Sequence, residues 1–287
     1  MNSPTETQVT AAADEPADTP ARDLKLQRVR HNPKFRMLQV ARVRSLTPRL
    51  LRVTLVGDEL AGFQSASFDD HVKVYFPVPG ADRPVRPEAG PSGMVFPEGV
   101  PRPVSRDFTP RSYDPKTNEL DLEFALHEAG PATDWARQAR PGQYLGVGGP
   151  RGSMIIPTGF DWHLLVGDET ALPAIGRRLE ELPARTVALV IVEIEDASGE
   201  VELSSRAEHQ VSWCHRDSAN EGGDLMRELQ RLTLPAGEGF VWAAGESAVI
   251  REARNYLCTE RGIDKRRIRA ASYWKRGSQA VHETFDD

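Results

Sequence analysis

The sequence predicts a β plus α/β protein in which an antiparallel six-stranded β-barrel is followed by a doubly wound parallel sheet. Short runs of alternating apolar and polar residues fill the first half of the chain, as expected for antiparallel strands with one buried face. In the second half, nearly continuous apolar runs alternate with helical patterns, which indicates right-handed βαβ units. The pattern changes after Pro157, so we expect a barrel domain over residues 31–157 and an α/β domain over 158–287.

A polar segment precedes the predicted barrel. Residues 1–30 are rich in Thr, Ala, Asp, Glu and Pro without hydrophobic periodicity, which predicts a disordered tail. The predicted barrel strands are FRMLQVARV, LLRVTLVG, HVKVYFPV, ELDLEFALH and QYLGVGG. Residues 79–103 are rich in Pro and Gly and predict a long surface loop, which either covers a site or is a tolerated insertion.

The predicted α/β domain alternates strands and helices. Its strands are WHLLVGD, TVALVIVEI, QVSWCH, GFVWAAG and IRAASYW. The helices between them are ETALPAIGRRLEEL, DLMRELQRL and SAVIREARNYLCTERG, and Pro173 is tolerated because it falls in a first turn. The second strand is almost entirely apolar, which is typical of a parallel sheet covered on both faces.

Composition excludes several classes of function. The 287 residues carry 36 Lys and Arg against 42 Asp and Glu, a net charge of −6 without a strongly basic segment, which argues against general nucleic-acid binding. No run approaches the roughly 20 apolar residues that span a bilayer, and no signal-peptide pattern is present. We therefore expect a cytoplasmic monomer without a nucleic-acid or membrane partner.

The cysteines place a limit on redox chemistry. Cys214 and Cys258 lie far apart and form no CxxC pair. An iron–sulfur cluster of the usual kind needs four thiolates, so the chain cannot hold one by itself. We expect no resident metal site.

Two turns follow strands that end at the same edge of the predicted parallel sheet, where ligands of such sheets bind. They are VGDET, with Gly167, Asp168, Glu169 and Thr170, and AAGES, with Gly245 and Glu246. The glycines would permit close approach of a ligand, and the following helix N-termini offer amides to a phosphate. The carboxylates have the wrong sign for direct phosphate contact, and an ordinary strand-to-helix turn would also carry such residues.

Two motifs in the predicted barrel are more specific. RDFTPRSYD places an aromatic and a hydroxyl residue between Arg106 and Arg111, which suits a ligand that is both a flat ring and an anion, such as a nucleotide or flavin. In HEAGPATDWARQ, Gly130 and Pro131 lead into a short predicted helix over residues 132–139, whose first amides can bind a pyrophosphate. Pro131 suits the first helical position because its missing donor is not needed there. An ordinary helix start is the alternative.

RDFTPR, HEAGPATDWA, GVGGPRGS, GDETALPAIGR, AAGES and YWKRG, in this order and spacing, resemble the siderophore-interacting protein family of flavin-dependent ferric-chelate reductases, relatives of the ferredoxin reductases. The likeness runs from about Arg36 to Gly277. It implies FAD in the barrel and a nicotinamide nucleotide on the second domain, with NADPH as the preferred donor and NADH as the alternative. Arginines available for a 2′-phosphate are Arg177, Arg178 and Arg216.

The resemblance also implies roles for single residues. Arg106 would contact the FAD phosphates or ribityl chain, Phe108 would lie against the flavin, and Thr109 would serve the flavin edge near N5. Asp107 belongs to the same cofactor-binding motif. The pyrophosphate cradle would comprise Gly130, Pro131, Ala132 and Thr133.

Two further residues of the HEAGPATDWA motif have alternative roles. Trp135 would stack on the adenine or belong to the core. His127 would contact the flavin or donate a proton, or would serve as a structural histidine.

The substrate implied by the resemblance is a ferric siderophore, which is anionic when catecholates hold the iron and would need positive neighbours. Candidates are Lys73, Arg151, Lys275 and Arg276, although Arg151 on its glycine-flanked turn would also suit a solvated loop. Lys73 is expected to share an outward strand face with His71 and Tyr75.

The expected reaction passes electrons from NAD(P)H through FAD to the Fe(III) of a siderophore, so that Fe(II) is released. One alternative is a general NAD(P)H flavin reductase with another acceptor. The other is a binding module that holds a ferric siderophore without turnover.

Overall fold

The structure is a computed structural model that describes residues 22–90, 93–127, 130–216, 223–277 and 283–285. The elements of the first domain are β1 (Gln27–Arg30), β2 (Phe35–Thr47), β3 (Leu50–Val56), β4 (Val72–Tyr75), β5 (Glu88–Gly90), β6 (Gly93–Val95), β7 (Ser105–Phe108), β8 (Pro110–Asp114), β9 (Glu119–Ala125), α1 (Pro131–Arg137), β10 (Tyr144–Gly148) and β11 (Gly152–Ile155). Those of the second domain are β12 (Trp162–Asp168), α2 (Leu172–Glu181), β13 (Val187–Ile194), β14 (Glu208–His215), α3 (Gly223–Arg231), β15 (Gly239–Glu246), α4 (Ser247–Thr259), β16 (Ile268–Trp274) and β17 (Glu283–Thr284).

The first domain is built on a seven-stranded antiparallel sheet with the order β7-β4-β10-β2-β3-β9-β8. The predicted number of six strands was therefore wrong. Its two edge strands, β7 and β8, follow each other in the chain with only Thr109 between them, so chain continuity joins the two edges of the curled sheet into a barrel. The sequence concealed the extra strand because β7 and β8 are too short to show a clear alternation.

The barrel core follows the predicted alternation. Val72 and Val74 of β4 are fully buried, and the following Phe76 is almost fully buried. Lys73 and Tyr75 are half-buried on the opposite face. Leu38, Leu55, Leu122 and Val147 from the neighbouring strands join the same core.

Two segments outside the main sheet differ from expectation. The predicted tail extended too far, because residues 27–30 form β1 and pair with β11, and such backbone pairing needs no apolar periodicity. Residues 1–21 lie outside the described part of the chain. Within the Pro- and Gly-rich segment, β5 and β6 pair as a separate two-stranded antiparallel sheet. The Arg86 guanidinium donates to the Glu59 carboxylate and so fixes the segment to the barrel.

The second domain confirms the doubly wound prediction. Its sheet has the order β14-β13-β12-β15-β16-β17, in which the first five strands are parallel and β17 is antiparallel to β16. Helix α2 packs between the sheet and the barrel, whereas α3 and α4 cover the other face. The strand order reverses between β12 and β15, so the carboxyl ends of these strands form the topological switch point. None of the helices in the described part of the chain has the length and apolar character needed to cross a membrane.

Asp69, in the loop between β3 and β4, joins the two domains. Its buried carboxylate accepts hydrogen bonds from the Trp242 indole nitrogen at 2.8 Å and from the Arg269 guanidinium. Next to it, the Phe68 ring lies 5.5 Å from the Trp242 ring and beneath the Arg178 guanidinium at 4.8 Å. The interface is therefore a continuous buried layer.

A second set of contacts connects α2 with the barrel. Arg177 donates to the Ser65 hydroxyl at 2.8 Å and to the Pro110 carbonyl at 3.0 Å. Arg111 of β8 pairs with Glu180 at 2.9 Å. These contacts fix α2 against the strand that follows Thr109.

We expect Asp69→Ala to lower the free energy of unfolding by about 3 kcal/mol, because it removes a buried carboxylate to which two side chains of the other domain donate. Asp264→Ala is the matched control, because Asp264 also pairs with an arginine but the Arg266 side chain is 88% exposed. Thermal unfolding followed by circular dichroism measures both variants. Equal midpoints for the two variants would contradict a central role for Asp69.

Candidate functional site

An aromatic cluster brings the two barrel motifs together. Phe108 lies against Phe124, with ring centroids 4.3 Å apart, and near Phe76 at 6.4 Å. Trp135 of α1 packs on Phe124 at 5.5 Å and on Phe76 at 5.8 Å. The RDFT and HEAGPATDWA motifs are thus neighbours in the barrel.

The same cluster assigns Trp135 to the core. Only 6% of its surface is exposed, so the ring has no free face to offer an adenine. The core alternative therefore replaces the predicted stacking, because a short amphipathic helix buries its largest ring against the barrel.

Strand β7 separates the residues of the RDFT motif onto two faces. Arg106 and Phe108 lie opposite Val74 and Val72, whose side chains enter the core, so they share the inner face. Asp107 lies opposite Lys73 on the outer face and accepts a hydrogen bond from its Nζ at 2.7 Å. The structure therefore does not bring Asp107 together with the other predicted cofactor residues.

Arg106 is available to an anion. Its half-buried guanidinium donates to the Ser105 carbonyl at 2.8 Å and, within the described residues, forms no ion pair. A partly buried cation without a carboxylate is well suited to a phosphate group.

Thr109 lies at the boundary between the two domains. It is 6% exposed, and its hydroxyl lies near enough to the phenol of Tyr273, close to the end of β16, to offset part of the rise in the pKa of that phenol. Burial raises the pKa of Tyr273 above its ordinary value, so the phenol stays protonated. The next carbonyl along the chain, that of Pro110, accepts from Arg177.

The start of α1 forms an open cradle. Gly130 has a φ of 148° and caps the helix without a side chain, and an added Cβ there would meet no atom of the described residues within 4 Å. The first hydrogen bond of the helix is donated by Asp134 to the Gly130 carbonyl, so the amides of Ala132 and Thr133 precede it. Helix α1 spans Pro131–Arg137 rather than the predicted 132–139.

The barrel residues therefore fit FAD. A guanidinium without an ion pair, a partly exposed phenylalanine ring and a helix start without a side-chain cap, each judged among the described residues, suit the phosphates and the ring of a flavin dinucleotide. Thr133 helps to fix the cradle, because its hydroxyl accepts from the His127 amide at 3.2 Å.

Asp168 organises the switch point of the second domain. Its buried carboxylate accepts from the Thr170 amide at 2.9 Å, the Glu246 amide at 3.0 Å and the Trp274 indole nitrogen at 2.7 Å. It thereby connects the ends of β12, β15 and β16. Burial and the neighbouring Glu169 raise the pKa of Asp168 to about 6, against the effect of these hydrogen bonds.

The switch-point glycines have a different role from the predicted one. A Cβ at Gly167 would lie 2.4 Å from the Ala171 Cβ, and one at Gly245 would lie 2.6 Å from an Asp168 carboxylate oxygen. These positions need glycine because the protein itself approaches closely, not because they leave room for a ligand.

Glu246 closes the helix start that was expected to bind phosphate. Its carboxylate accepts from the amides of Ala248 at 2.7 Å and Val249 at 3.1 Å. The first turn of α4 is thus capped by the chain's own carboxylate. The prediction of free amides at this turn was therefore wrong.

A charged group faces the cleft between the domains. Arg216, just after β14, donates to Glu169 at 2.9 Å and to Glu193 at 2.8 Å, and these partners raise its pKa although burial opposes them. His127, at the end of the barrel strand β9, lies near this group, with its ring centroid 6.0 Å from that of Trp274. His127 of the barrel and Glu169 of the GDET turn are therefore neighbours at the boundary between the domains.

His127 is exposed to solvent, yet protein around its ring displaces enough water to lower its pKa below the ordinary value. Arg216 lowers this pKa further and Glu169 raises it. The imidazole is therefore neutral at pH 7 and can accept or donate a single hydrogen bond.

The predicted basic cluster is divided between the domains. Lys73 and Arg151 lie on the barrel, and Lys73 is already paired with Asp107. Lys275 and Arg276 are exposed and follow β16 on the other domain. All three arginines considered for a 2′-phosphate have partners: Arg177 contacts the barrel, Arg178 donates to the Pro157 carbonyl, and Arg216 pairs with Glu169 and Glu193. Of the three, Arg216 is the one at the carboxyl edge of the sheet.

Tyr273 and Trp274 are site residues that the sequence reasoning missed. The YWKRG motif predicts a role for its basic residues. In the structure its two aromatic residues also take part: Tyr273 lies near Thr109, and Trp274 donates to Asp168 and lies near the His127 ring. Their position at the carboxyl end of the last parallel strand was the available signal.

An antiparallel barrel with a flavin-type cradle, joined to a doubly wound sheet whose switch point faces that cradle, defines the class of ferredoxin-reductase-like flavoproteins. Comparisons with known proteins identify the family. The model of the siderophore-interacting FAD-binding domain matches residues 39–154, and that of the siderophore-interacting protein matches residues 160–277. The chain belongs to the siderophore-interacting protein family.

Individual relatives agree with this assignment. The chain is 38% identical over 252 residues to the NADPH-dependent ferric-chelate reductase of Escherichia coli, covering 86% of this chain and 96% of the relative. It is 34% identical over 253 residues to the ferric vibriobactin reductase ViuB of Vibrio cholerae, covering 86% and 93%. A crystal structure of a siderophore utilization protein from T. fusca superimposes with a TM-score of 0.82 at 38% identity, covering 90% of this chain and 98% of that one.

We expect the titration midpoint of His127, followed by NMR of its ring, to lie below about 6.5, the ordinary value for histidine. Glu169→Gln should lower the midpoint further because it removes the neighbouring charge that favours the imidazolium, and Arg216→Ala should raise it. Glu252→Gln, on the exposed side of α4, is the control and should leave it unchanged. A His127 midpoint that is unchanged in both Glu169→Gln and Arg216→Ala would contradict the placement of His127 beside this charged group.

Proposed function

We propose that the protein is an FAD-dependent ferric-siderophore reductase that takes its electrons from NADPH. The observation that carries the proposal is the arrangement of the barrel. Among the described residues, Arg106 has no ion pair and shares a strand face with Phe108, and the start of α1 has no side-chain cap. Membership of a family with an FAD-binding first domain supports it, as do the names of the ferric-chelate and ferric vibriobactin reductases to which the chain is similar.

The chain supplies binding and orientation for this reaction. Arg106 and the amides of Ala132 and Thr133 would hold the phosphates, Phe108 would lie against the ring, and Thr109 would contact its edge. The chemistry that FAD would supply when bound is acceptance of a hydride and release of electrons one at a time. One NADPH then yields NADP⁺, a proton and two Fe(II) from two ferric chelates, and Fe(II) leaves because it binds hard oxygen donors less tightly than Fe(III).

The electron donor enters at the cleft between the domains. Trp274, which donates to Asp168, and the neutral His127 lie next to each other in its wall, one from each domain, and Arg216 lies at the carboxyl edge of the sheet. We assign the 2′-phosphate to Arg216 because of its place at the carboxyl edge of the sheet, where ligands bind; the phosphate would compete with Glu169 and Glu193 for the guanidinium. The name of the NADPH-dependent relative supports the choice of NADPH over NADH.

The ferric siderophore binds at the exposed cations. Lys275 and Arg276 follow β16 near the cleft, and Arg151 is exposed on the barrel, so an anionic chelate would be attracted to this side of the molecule. Lys73 contributes less than expected because Asp107 neutralises it.

The test of this function begins with purified protein supplied with FAD. We expect a yellow complex whose colour is bleached by NADPH in the absence of oxygen and restored by a ferric catecholate siderophore, with Fe(II) trapped by a chromogenic chelator.

Arg106→Ala should weaken FAD binding about 10- to 150-fold, since a charge-assisted hydrogen bond contributes roughly 1.5–3 kcal/mol. Arg42→Ala is the matched control, because Arg42 is an exposed barrel arginine paired with Glu119.

The outcomes separate the alternatives. Protein that binds ferric siderophore but never FAD would be a binding module and would overturn the proposal. Protein that is bleached by NADPH and reoxidised by free flavin but not by any ferric chelate would be a general flavin reductase.

The assignment of Arg216 predicts an effect on one donor only. Arg216→Ala should raise the KM for NADPH about tenfold, the loss expected for one charged contact, while the KM for NADH changes little. Arg231→Ala, on the exposed surface of α3, is the control. An equal change for both donors would assign Arg216 a structural role, and a wild-type preference for NADH would overturn the choice of donor.

A further inference from the structure

The turn after β16 carries two of the cations assigned to the ferric siderophore, Lys275 and Arg276. Strand β16 ends at Trp274, and residues 275–277 that follow it are exposed. The ladder between β15 and β16 ends with the pair formed by Glu246 and Trp274, one step before this turn. The position of the turn therefore depends on contacts other than this ladder.

Glu246 supplies such a contact with one of its two carboxylate oxygens. Its Oε1 accepts a hydrogen bond from the backbone amide of Arg276 at 3.2 Å. Its Oε2 accepts from the amides of Ala248 at 2.7 Å and Val249 at 3.1 Å, at the start of α4. The carboxylate is thus shared between two tasks, because one oxygen caps the helix and the other holds the turn.

Asp168 fixes the backbone from which the Glu246 side chain extends. Its buried Oδ2 accepts from the Glu246 amide at 3.0 Å and from the Trp274 indole nitrogen at 2.7 Å. Glu246 and the last residue of β16 are therefore fixed to the same buried group. A carboxylate on a backbone held in this way can define where the following turn lies.

We infer that Glu246 is a positioning residue for the ferric siderophore, whose Oε1 holds the turn in which Lys275 and Arg276 present their charges to the anionic chelate. This inference rests on the proposed function, because it takes these two residues as contacts of the chelate. Glu246 itself does not touch the chelate, which a carboxylate would repel. Three backbone amides, one of the turn and two of the helix start, donate to this carboxylate and partly offset its charge.

The experiment uses Glu246→Ser in FAD-loaded protein. Serine can cap a helix with its hydroxyl, but it is too short to offer a second oxygen to the turn. The probe is a Ga(III)-loaded catecholate siderophore, which has the charge of the ferric complex and is not reduced. We expect its dissociation constant to rise about 2- to 12-fold, the range that corresponds to one net hydrogen bond, while the KM for NADPH stays unchanged.

A second background shows whether Glu246 acts through the cations. The double variant Lys275→Ala/Arg276→Ala should bind the Ga(III) chelate more weakly than the wild type, because it removes the charges themselves. Adding Glu246→Ser to this double variant should cause no further loss, because a residue that acts through others has no effect once they are gone.

Asp264→Ser is the matched control, because Asp264 also accepts from a backbone amide, that of Arg266 at 2.9 Å, on an exposed turn of the same domain. It should leave the affinity for the Ga(III) chelate unchanged. Thermal unfolding and circular dichroism show whether each variant is folded. Glu246→Asn, which also places a capping residue at the start of α4, gives the same comparison if the serine variant is unstable.

Three outcomes would overturn the inference. Unchanged affinity for the Ga(III) chelate in a folded Glu246→Ser protein would do so while leaving the proposed function intact. Equal losses of affinity with and without the two cations would also do so, because Glu246 would then act by another route. A Lys275→Ala/Arg276→Ala protein that binds the chelate as tightly as the wild type would overturn both the inference and the siderophore site proposed at this turn.

Discussion

The buried carboxylate of Asp69 is the interaction on which the rest of the structure depends. It comes from a barrel loop and accepts from Trp242 and Arg269, which lie on adjacent strands of the other domain's sheet. A buried carboxylate is costly to leave without donors, so the two domains have one favourable relative position. Phe68 and Arg178 extend this contact into a continuous apolar and cationic layer.

This fixed position is what creates the site. The barrel alone presents Arg106, Phe108 and the start of α1, and the sheet alone presents a switch point. Docking brings Tyr273 to Thr109 and Trp274 to His127, so that the wall of the cleft is drawn from both domains. A reaction that passes electrons between two flat cofactors needs such a shared cleft, because both rings must meet without intervening water.

The switch point shows how carboxylates can serve a nucleotide domain without touching a phosphate. Asp168 gathers the amide of Glu246 and the indole of Trp274, and Glu246 caps α4. Glycines at 167 and 245 allow this close internal packing. Negative side chains there stabilise the turn itself and pair with Arg216, and exposed positive charge is left to Lys275 and Arg276 farther out along the edge.

The sequence by itself determined the two-domain order, the principal strands and helices, and the inward face of β4, because apolar periodicity reports which side of an element is buried. Its motifs also indicated where a flavin dinucleotide would bind. Only the tertiary structure decided which groups meet. Trp135 packs on Phe124 in the core, Asp107 accepts a hydrogen bond from Lys73, Arg177 donates to the Pro110 carbonyl of the barrel, and Tyr273 lies near Thr109. A pattern along the chain fixes the direction of a side chain, whereas its partner comes from residues up to 200 positions away that only folding brings together.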